Sequence, residues 1–299
     1  MQTDLRPQPP PGDDSLIPKI CIGMPVFNGE KFIREALDSL LAQTFTDFEL
    51  IISDNASTDG TEAICRKYVE KDSRIRYVRQ AENRGAAANF RFVLDETQAE
   101  YFMWAACDDL RSQDFLGINY DFLRRNPDYI ASTSPVRFAN GTFNPVRMGD
   151  RSLDDPMEER VVAFLECWHA NGRFYSLFRR EALLSVTTLR HENYLGVDWA
   201  IIIELICIGK FNRCNLGEVF LGTGGLSHSL NIFKVYRKGV LSWMFPFGKL
   251  TAFILRLSRN FTPRNKIIVL RRLIMLNYRA VVGQWIYEIK LLLNRCFGG

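Results

Sequence analysis

At 299 residues, with 47% apolar and 24% charged residues, the chain is long enough for one sizeable domain with an appendage and has an ordinary globular composition. Its seven cysteines are scattered, odd in number and lack a Cys-x-x-Cys pair, which argues against a disulfide framework or a zinc site and fits a reducing cytoplasm. The net charge of +4 hides an asymmetry: residues 231–299 carry a local balance of +12, with Glu288 their only acid, and the remainder carries −8.

Residues 1–18 are polar and Pro-rich, which predicts a disordered leader and not a signal peptide. Lys19 to Met24 reads as a buried parallel strand. Ile33, Ala36, Leu37, Leu40 and Leu41 recur at helical spacing between Gly29 and Gln43. Phe48 to Ser53 is a second strand, followed by a helix from about Asp59 with Glu62 placed as in a capping box. Arg74 to Arg79, Gly85 to Glu96 and Tyr101 to Ala106 continue as strand, helix and strand. This alternation predicts an α/β fold with a mostly parallel, Rossmann-like sheet flanked by helices.

Beyond Asp109 the order loosens. Asp114 to Asn126 predicts a helix, Tyr129 to Phe138 a strand, and Asn140 to Pro156 a long loop. Glu158 to His169 and Tyr194 to Cys207 read as helices, and Phe174 to Phe178 as a strand. From residue 231 two basic, apolar helical segments split around Asn260 to Pro263. No uncharged apolar run approaches the ~18 residues of a membrane span. The expected organisation is a leader over 1–18, a catalytic domain over 19–230 and a helical extension over 231–299.

Three polar clusters follow the first, second and fourth strands: Pro25-Val26-Phe27-Asn28, Asp54 to Gly60, and Cys107-Asp108-Asp109. In a parallel sheet they share the rim where such folds bind ligands. The pair Asp108 and Asp109 is a candidate holder of Mg²⁺ or Mn²⁺, because hard cations take carboxylate oxygens and bridge to phosphates. Asp54 is placed to accept hydrogen bonds from a nucleobase or ribose, or else to form an Asx-turn. The turn at Pro25 to Gly29 offers free backbone N–H groups at a helix start. Arg84 is a candidate diphosphate contact. His228, in a Gly/Ser loop, is a candidate metal or diphosphate ligand. Asp198 by itself reads as the N-cap of a helix over Trp199 to Cys207.

With these residues in view, the chain resembles glycosyltransferase family 2, inverting nucleotide-sugar transferases of GT-A architecture. The resemblance rests on MPVFNGEKFIREALDSLLAQTF, ELIISDNASTDGT, ENRGAAANF and FMWAACDDLRSQDFL, strongly over about residues 19–125 and more loosely over 160–205. It implies that Pro25, Phe27, Asn28 and Asp54 bind the nucleotide, and Val26, Asn55 and Arg84 are expected beside them in the same site. It also implies that Asp108 occupies the metal-binding position of the Asp-x-Asp signature, beside the nucleotide. The usual first acid of that signature is Ala106 here. In Gly196-Val197-Asp198-Trp199, the resemblance implies that Asp198 is the catalytic base, with Val197 replacing the usual preceding glutamate.

The expected activity is therefore metal-dependent, inverting sugar transfer from a nucleotide-diphosphate sugar to an acceptor hydroxyl, in cell-surface polysaccharide or glycolipid assembly. The acceptor is a glycan or a lipid-linked glycan. The basic extension suggests peripheral attachment to an anionic membrane on its cytoplasmic face. No nucleic-acid-binding module accompanies the charge, so nucleic acid is not an expected partner. A non-catalytic glycan- or nucleotide-sugar-binding protein and a sugar-nucleotide pyrophosphorylase are the competing readings.

Overall fold

The computed structural model describes residues 3–4, 17–138, 150–166, 171–191, 194–222, 224, 235–236 and 239–297. Among them an eight-stranded sheet has the order β1-β4-β3-β2-β5-β9-β7-β10, and a three-stranded sheet the order β6-β11-β8. The strands are β1 Thr3–Asp4, β2 Ile20–Val26, β3 Phe48–Asp54, β4 Ile75–Arg79, β5 Tyr101–Trp104, β6 Leu110–Arg111, β7 Tyr129–Thr133, β8 Val136–Phe138, β9 Leu177–Arg179, β10 Lys210–Arg213 and β11 Val219–Leu221. Helices α1 (Ile33–Leu41), α2 (Thr61–Val69) and α3 (Ala86–Asp95) connect β2 through β5, and α4 (Phe115–Arg125) precedes β7. Next come α5 (Met157–Phe164), α6 (Arg180–Ser185), α7 (Thr188–His191) and α8 (Val197–Ile208). The C-terminal part holds α9 (Val240–Met244), α10 (Gly248–Leu257) and α11 (Pro263–Phe297).

β2 is central, with parallel neighbours β3 and β5, and all seven of its residues are buried. That explains its apolar run: a strand covered by helices on both faces has no solvent side to supply alternation. The register pairs Val26 with Asp54 and Asp54 with Arg79, so β2, β3 and β4 end along one line. The apolar stripe of α1, with Ile33, Ala36, Leu37 and Leu40 buried, closes one face. Each such side chain contributes about 1.5–3 kcal/mol on burial.

Four sequence expectations change. Thr3 and Asp4, within the segment read as a disordered leader, pair antiparallel with Arg79 and Val78 of β4. The strand expected over Tyr129 to Phe138 breaks at Pro135, which has no ladder N–H to donate, and its second half joins the small sheet. The strand expected over Phe174 to Phe178 is a 3₁₀ turn, Gly172–Tyr175, followed by β9, which runs antiparallel to both β5 and β7. The helix expected from Tyr194 starts at Val197, because Gly196 adopts φ +86° as its N-cap. A side chain at Gly196 would be strained there and would press on Leu250 and Phe247.

The C-terminal helices share the core with the sheet's helices. Phe247, Leu250, Ile254, Phe261, Val269 and Leu273 bury into the cluster that contains α8 and Trp104. Polar ties add direction: Thr262 and Asn265 donate to Glu158, and Asn277 joins the Phe247 N–H to Thr251. The opposite face of α11 leaves Ile267, Ile274, Tyr278, Trp285 and Ile289 at least half exposed. No helix among the described residues is long and apolar enough to cross a membrane.

Candidate active site

The loops after β2 and β3 are stitched into one unit. The N–H groups of Asn28, Gly29 and Glu30 donate to Ser57, Thr61 and Asp59. In return Thr58 N–H donates to Asn28 Oδ1, and Gly60 N–H to Glu30. The N–H groups expected to be free for a ligand are therefore already paired, because the second loop supplies oxygens at the right height. Asn28 (φ +54°) and Ala56 (φ +61°) hold left-handed conformations, a local cost of order 1–3 kcal/mol that the stitching sustains. Pro25 and Val26 lie inside β2 and are buried, whereas Phe27 is 48% exposed on the rim.

Asp54 points inward. It is fully buried, with Oδ1 accepting the Ser57 N–H and Oδ2 accepting the Tyr77 hydroxyl at 2.6 Å and Arg79 Nη1 at 3.0 Å. Burial opposes the Arg79 charge, but Asp54 and Glu62 outweigh it and raise its pKa. The carboxylate holds its own loop, beneath the rim on which it was expected to meet a base or ribose. Asn55, the next residue, ties the rim sideways: its amide donates to Asn83, and its oxygen accepts the N–H of Arg84. The Arg84 side chain is exposed.

Past β5 the chain turns through Ala106 and Cys107 into the acidic pair. Asp108 Oδ2 accepts the Gly224 N–H, and Asp109 Oδ1 accepts the Gly222 N–H, both at 2.9 Å. Only glycine fits at 222, since a side chain would collide with the Asp108 backbone oxygen. Asp109 is 4% exposed, and its Oδ2 is buried with no hydrogen-bond partner among the described residues. Burial raises its pKa to about 6 against the pull of Arg111 and the Gly222 N–H. An orphaned carboxylate oxygen beside a second carboxylate suits a hard divalent cation. No cluster of three or more acidic, His or Cys ligands occurs among the described residues. His228 lies outside the described residues.

Asp198 sits in the first turn of α8 and is not its N-cap, a place taken by Gly196. It is half-buried, and burial raises its pKa although the Asn171 amide, at 3.1 Å from Oδ2, pulls the other way. Asn171 is the residue before the 3₁₀ turn, and Tyr175 ends that turn. Phe174, between them, stacks on Trp104 with ring centroids 4.6 Å apart and planes 6° from parallel. Trp104 closes β5, so this stack fastens the holder of Asp198 to the strand that leads into Asp108 and Asp109. The Tyr175 phenol is pushed well up by burial and by the charges of Asp109, Asp198 and Asp108, with Arg111 opposing.

The profile of Glycosyl transferase family 2 matches residues 21–186, more than half of the chain. An uncharacterized glycosyltransferase of Haemophilus influenzae is 32% identical over 224 residues, covering 73% of this chain and 84% of its own length. This protein belongs to glycosyltransferase family 2. Glycosyltransferase GlyA of Streptococcus pneumoniae is 34% identical over 204 residues, which are 63% of this chain but only 29% of that protein. Among solved structures, the mannosyltransferase PcManGT of Pyrobaculum calidifontis, in complex with GDP-Man and Mn²⁺, superposes with a TM-score of 0.59 at 18% identity, over 99% of this chain and 80% of that one. The GT-A fold expected of this glycosyltransferase is the fold observed, and membership of the family sets aside the pyrophosphorylase reading.

Sequence reasoning about this family 2 chain missed Asn171 and Tyr175. Asn171 falls between the helix expected to end at His169 and the strand expected from Phe174, Tyr175 falls inside that strand, and neither forms a motif with Asp198 or Asp109. The signal available was the aromatic run around Phe174, which has to find a partner ring. Tyr77 and Arg79, the holders of Asp54, were equally silent because β4 reads as an ordinary strand.

Proposed function

We propose that this glycosyltransferase moves a sugar from a nucleotide-diphosphate sugar to an acceptor hydroxyl with inversion, in a single in-line displacement. The observation that carries the reading is the 3₁₀ turn fastened to β5, with Asn171 holding Asp198 at one end and Tyr175 within the field of Asp108 and Asp109 at the other. In-line displacement needs leaving group and base on opposite sides of one carbon, and a rigid spacer of this kind fixes that geometry.

Phe27, Asn28 and Asn55 border the nucleotide, on a rim braced by Asp54 from beneath. Asp108 and Asp109 would hold Mg²⁺ or Mn²⁺ together with diphosphate oxygens. When bound, the ion supplies Lewis-acid neutralisation of the departing diphosphate. Asp198 takes the acceptor's proton as that oxygen bonds to the anomeric carbon, while the bond to the diphosphate oxygen breaks and its electron pair leaves with the diphosphate. Burial makes Asp198 a stronger base than a solvated carboxylate, with its pKa moved toward the working pH.

The acceptor is a membrane-borne glycan, and the enzyme works on a cytoplasmic membrane face. Support comes from the exposed apolar side of α11, flanked by Arg272 and Arg279, and from Val240 and Leu241 on α9, each about three-quarters exposed. Such a face, rimmed with bases, suits an anionic bilayer, where each base contributes about 1 kcal/mol. The test is a panel of UDP-, GDP- and dTDP-sugars with Mg²⁺ or Mn²⁺ and a lipid-linked acceptor extract, reading nucleotide release. One donor should turn over; no turnover with any, together with no thermal shift, would overturn the reading.

A further inference from the structure

A groove of about 400 Å³, open to solvent on one side, runs between the middle of α11 and the ends of α5 and α8 that face it. Its floor is apolar, made by Leu165, Trp199, Leu273 and Leu276, and the first three are buried members of the core around α8. The fold therefore sets the floor, with the Trp199 ring held edge-on to Phe164 at 4.9 Å between centroids. Arg272 and Arg279 stand exposed on the α11 lip, and neither pairs with a carboxylate among the described residues. Seven residues apart on one helix, they are separated by about 10.5 Å of rise, a gap that two long side chains can close on one phosphate. Glu166, just past α5, is the lining's one acid, which leaves a balance of +1. One turn beyond Arg279 the same lip carries Gly283, where nothing lies within 4 Å of an added side chain's first carbon, so the space stays open in that direction.

We propose that this groove binds the lipid end of the acceptor, a single-chain lipid phosphate, with its phosphate between Arg272 and Arg279 and the first carbons of its chain along Leu165, Trp199 and Leu276. The inference deepens, and rests on, the reading of the acceptor as a membrane-borne glycan and of Asp198 as the base. A free phosphate has no use for the apolar floor, and a neutral chain has none for the two guanidinium groups, whereas an anionic amphiphile uses both. The floor is one narrow strip, which takes one chain and not the pair of a bilayer phospholipid. Its place also fits, because Trp199 directly follows Asp198 in the first turn of α8. A carrier held there brings the sugar next to its phosphate to the helix end that carries the base.

Calorimetric titration of the full chain in EDTA, which keeps metal from the acidic pair, tests the groove with farnesyl phosphate, inorganic phosphate, farnesol and dihexanoyl phosphatidic acid, each below its micellar concentration. Farnesyl phosphate should bind one to one, and the other three at least about tenfold more weakly. Arg272→Gln with Arg279→Gln should weaken farnesyl phosphate about tenfold or more, and Glu166→Gln should tighten it about twofold, with melting temperatures unchanged. No binding of farnesyl phosphate, or equal binding by the double variant, would overturn the proposal. So would equal binding of inorganic phosphate, which marks a plain anion site, of farnesol, which marks a plain apolar patch, or of phosphatidic acid, which marks bilayer attachment alone. The underlying reading fails separately, since the titration contains no donor and no transfer step. Asp198→Asn should bind farnesyl phosphate as wild type does, and wild-type transfer by that variant would remove the base without altering the titration.

Discussion

Asn171 donates its side-chain amide to Oδ2 of Asp198 at 3.1 Å, while its own Oδ1 is buried with no partner among the described residues. The bond aims the carboxylate and tempers the rise in its pKa. Asn171→Ala should lower kcat about tenfold or more while leaving nucleotide affinity nearly unchanged, and it should move the acid limb of kcat upward in pH. A pH–rate profile of the variant beside wild type checks both effects.

Asp198 also leaves a mark on stability. Its folded pKa lies above the ordinary carboxylate value, so the folded state holds that proton more tightly than the unfolded chain does. The stability it contributes is greatest at low pH and is lost as pH rises from about 4, the unfolded value, through the folded value. Asp198→Asn should therefore melt with a shallower decline over that range, read by thermal denaturation in steps of pH.

Asp54 makes the opposite case, a buried acid whose partners are all present. Removing the Tyr77 hydroxyl by Tyr77→Phe should cost about 1–2 kcal/mol in chemical denaturation. Asp54→Ala leaves the Tyr77 hydroxyl and the Ser57 N–H without their acceptor, while Arg79 keeps Glu62 and the Ser57 carbonyl, and should cost about 1–3 kcal/mol for each stranded donor. Both variants should weaken nucleotide binding in proportion to the loosening of the loop.

At Gly196 the left-handed backbone and the contact with Leu250 act together. Gly196→Ala should destabilise by about 1–3 kcal/mol and lower kcat, because it shifts the first turn of α8 that carries Asp198. Thermal melting and steady-state kinetics on one preparation measure both.

Deleting residues 231–299 is a poor test of membrane attachment, because Phe247, Leu250 and Val269 belong to the core. Surface changes avoid this. Trp285→Ser with Ile289→Ser should cut flotation on anionic liposomes severalfold, and Arg272→Glu with Arg279→Glu should abolish its dependence on anionic lipid, with melting temperatures unchanged. Equal flotation of all variants would contradict a role for α11.

The parts of the fold legible in the sequence were those with a local signature. Ile20 to Val26 and Phe48 to Asp54 announce buried strands by their apolar runs, and α1 by its stripe. The acids at 108 and 109 stood out because they follow a buried strand, whereas Asp198 looked like a helix cap and stood out only through the resemblance to the family. What stayed hidden depends on contacts across the chain. Leu177 to Arg179 carries no mark of its antiparallel direction, which follows from Phe178 and Arg179 pairing with Phe102 and Tyr101. Asp54 reads as a rim ligand until Tyr77 and Arg79, more than twenty residues on, turn it inward. The two apolar sides of α11 look alike in sequence, and only packing shows which one is left to solvent.

The most direct measurement is single-turnover transfer by Asp198→Asn, with its preferred donor bound and the acceptor present. Donor affinity should stay within about twofold of wild type while the transfer rate falls by about a thousandfold or more, as expected for a lost general base. Transfer at the wild-type rate would contradict the account, because the acidic pair and Asp198 would then not be serving one reaction centre.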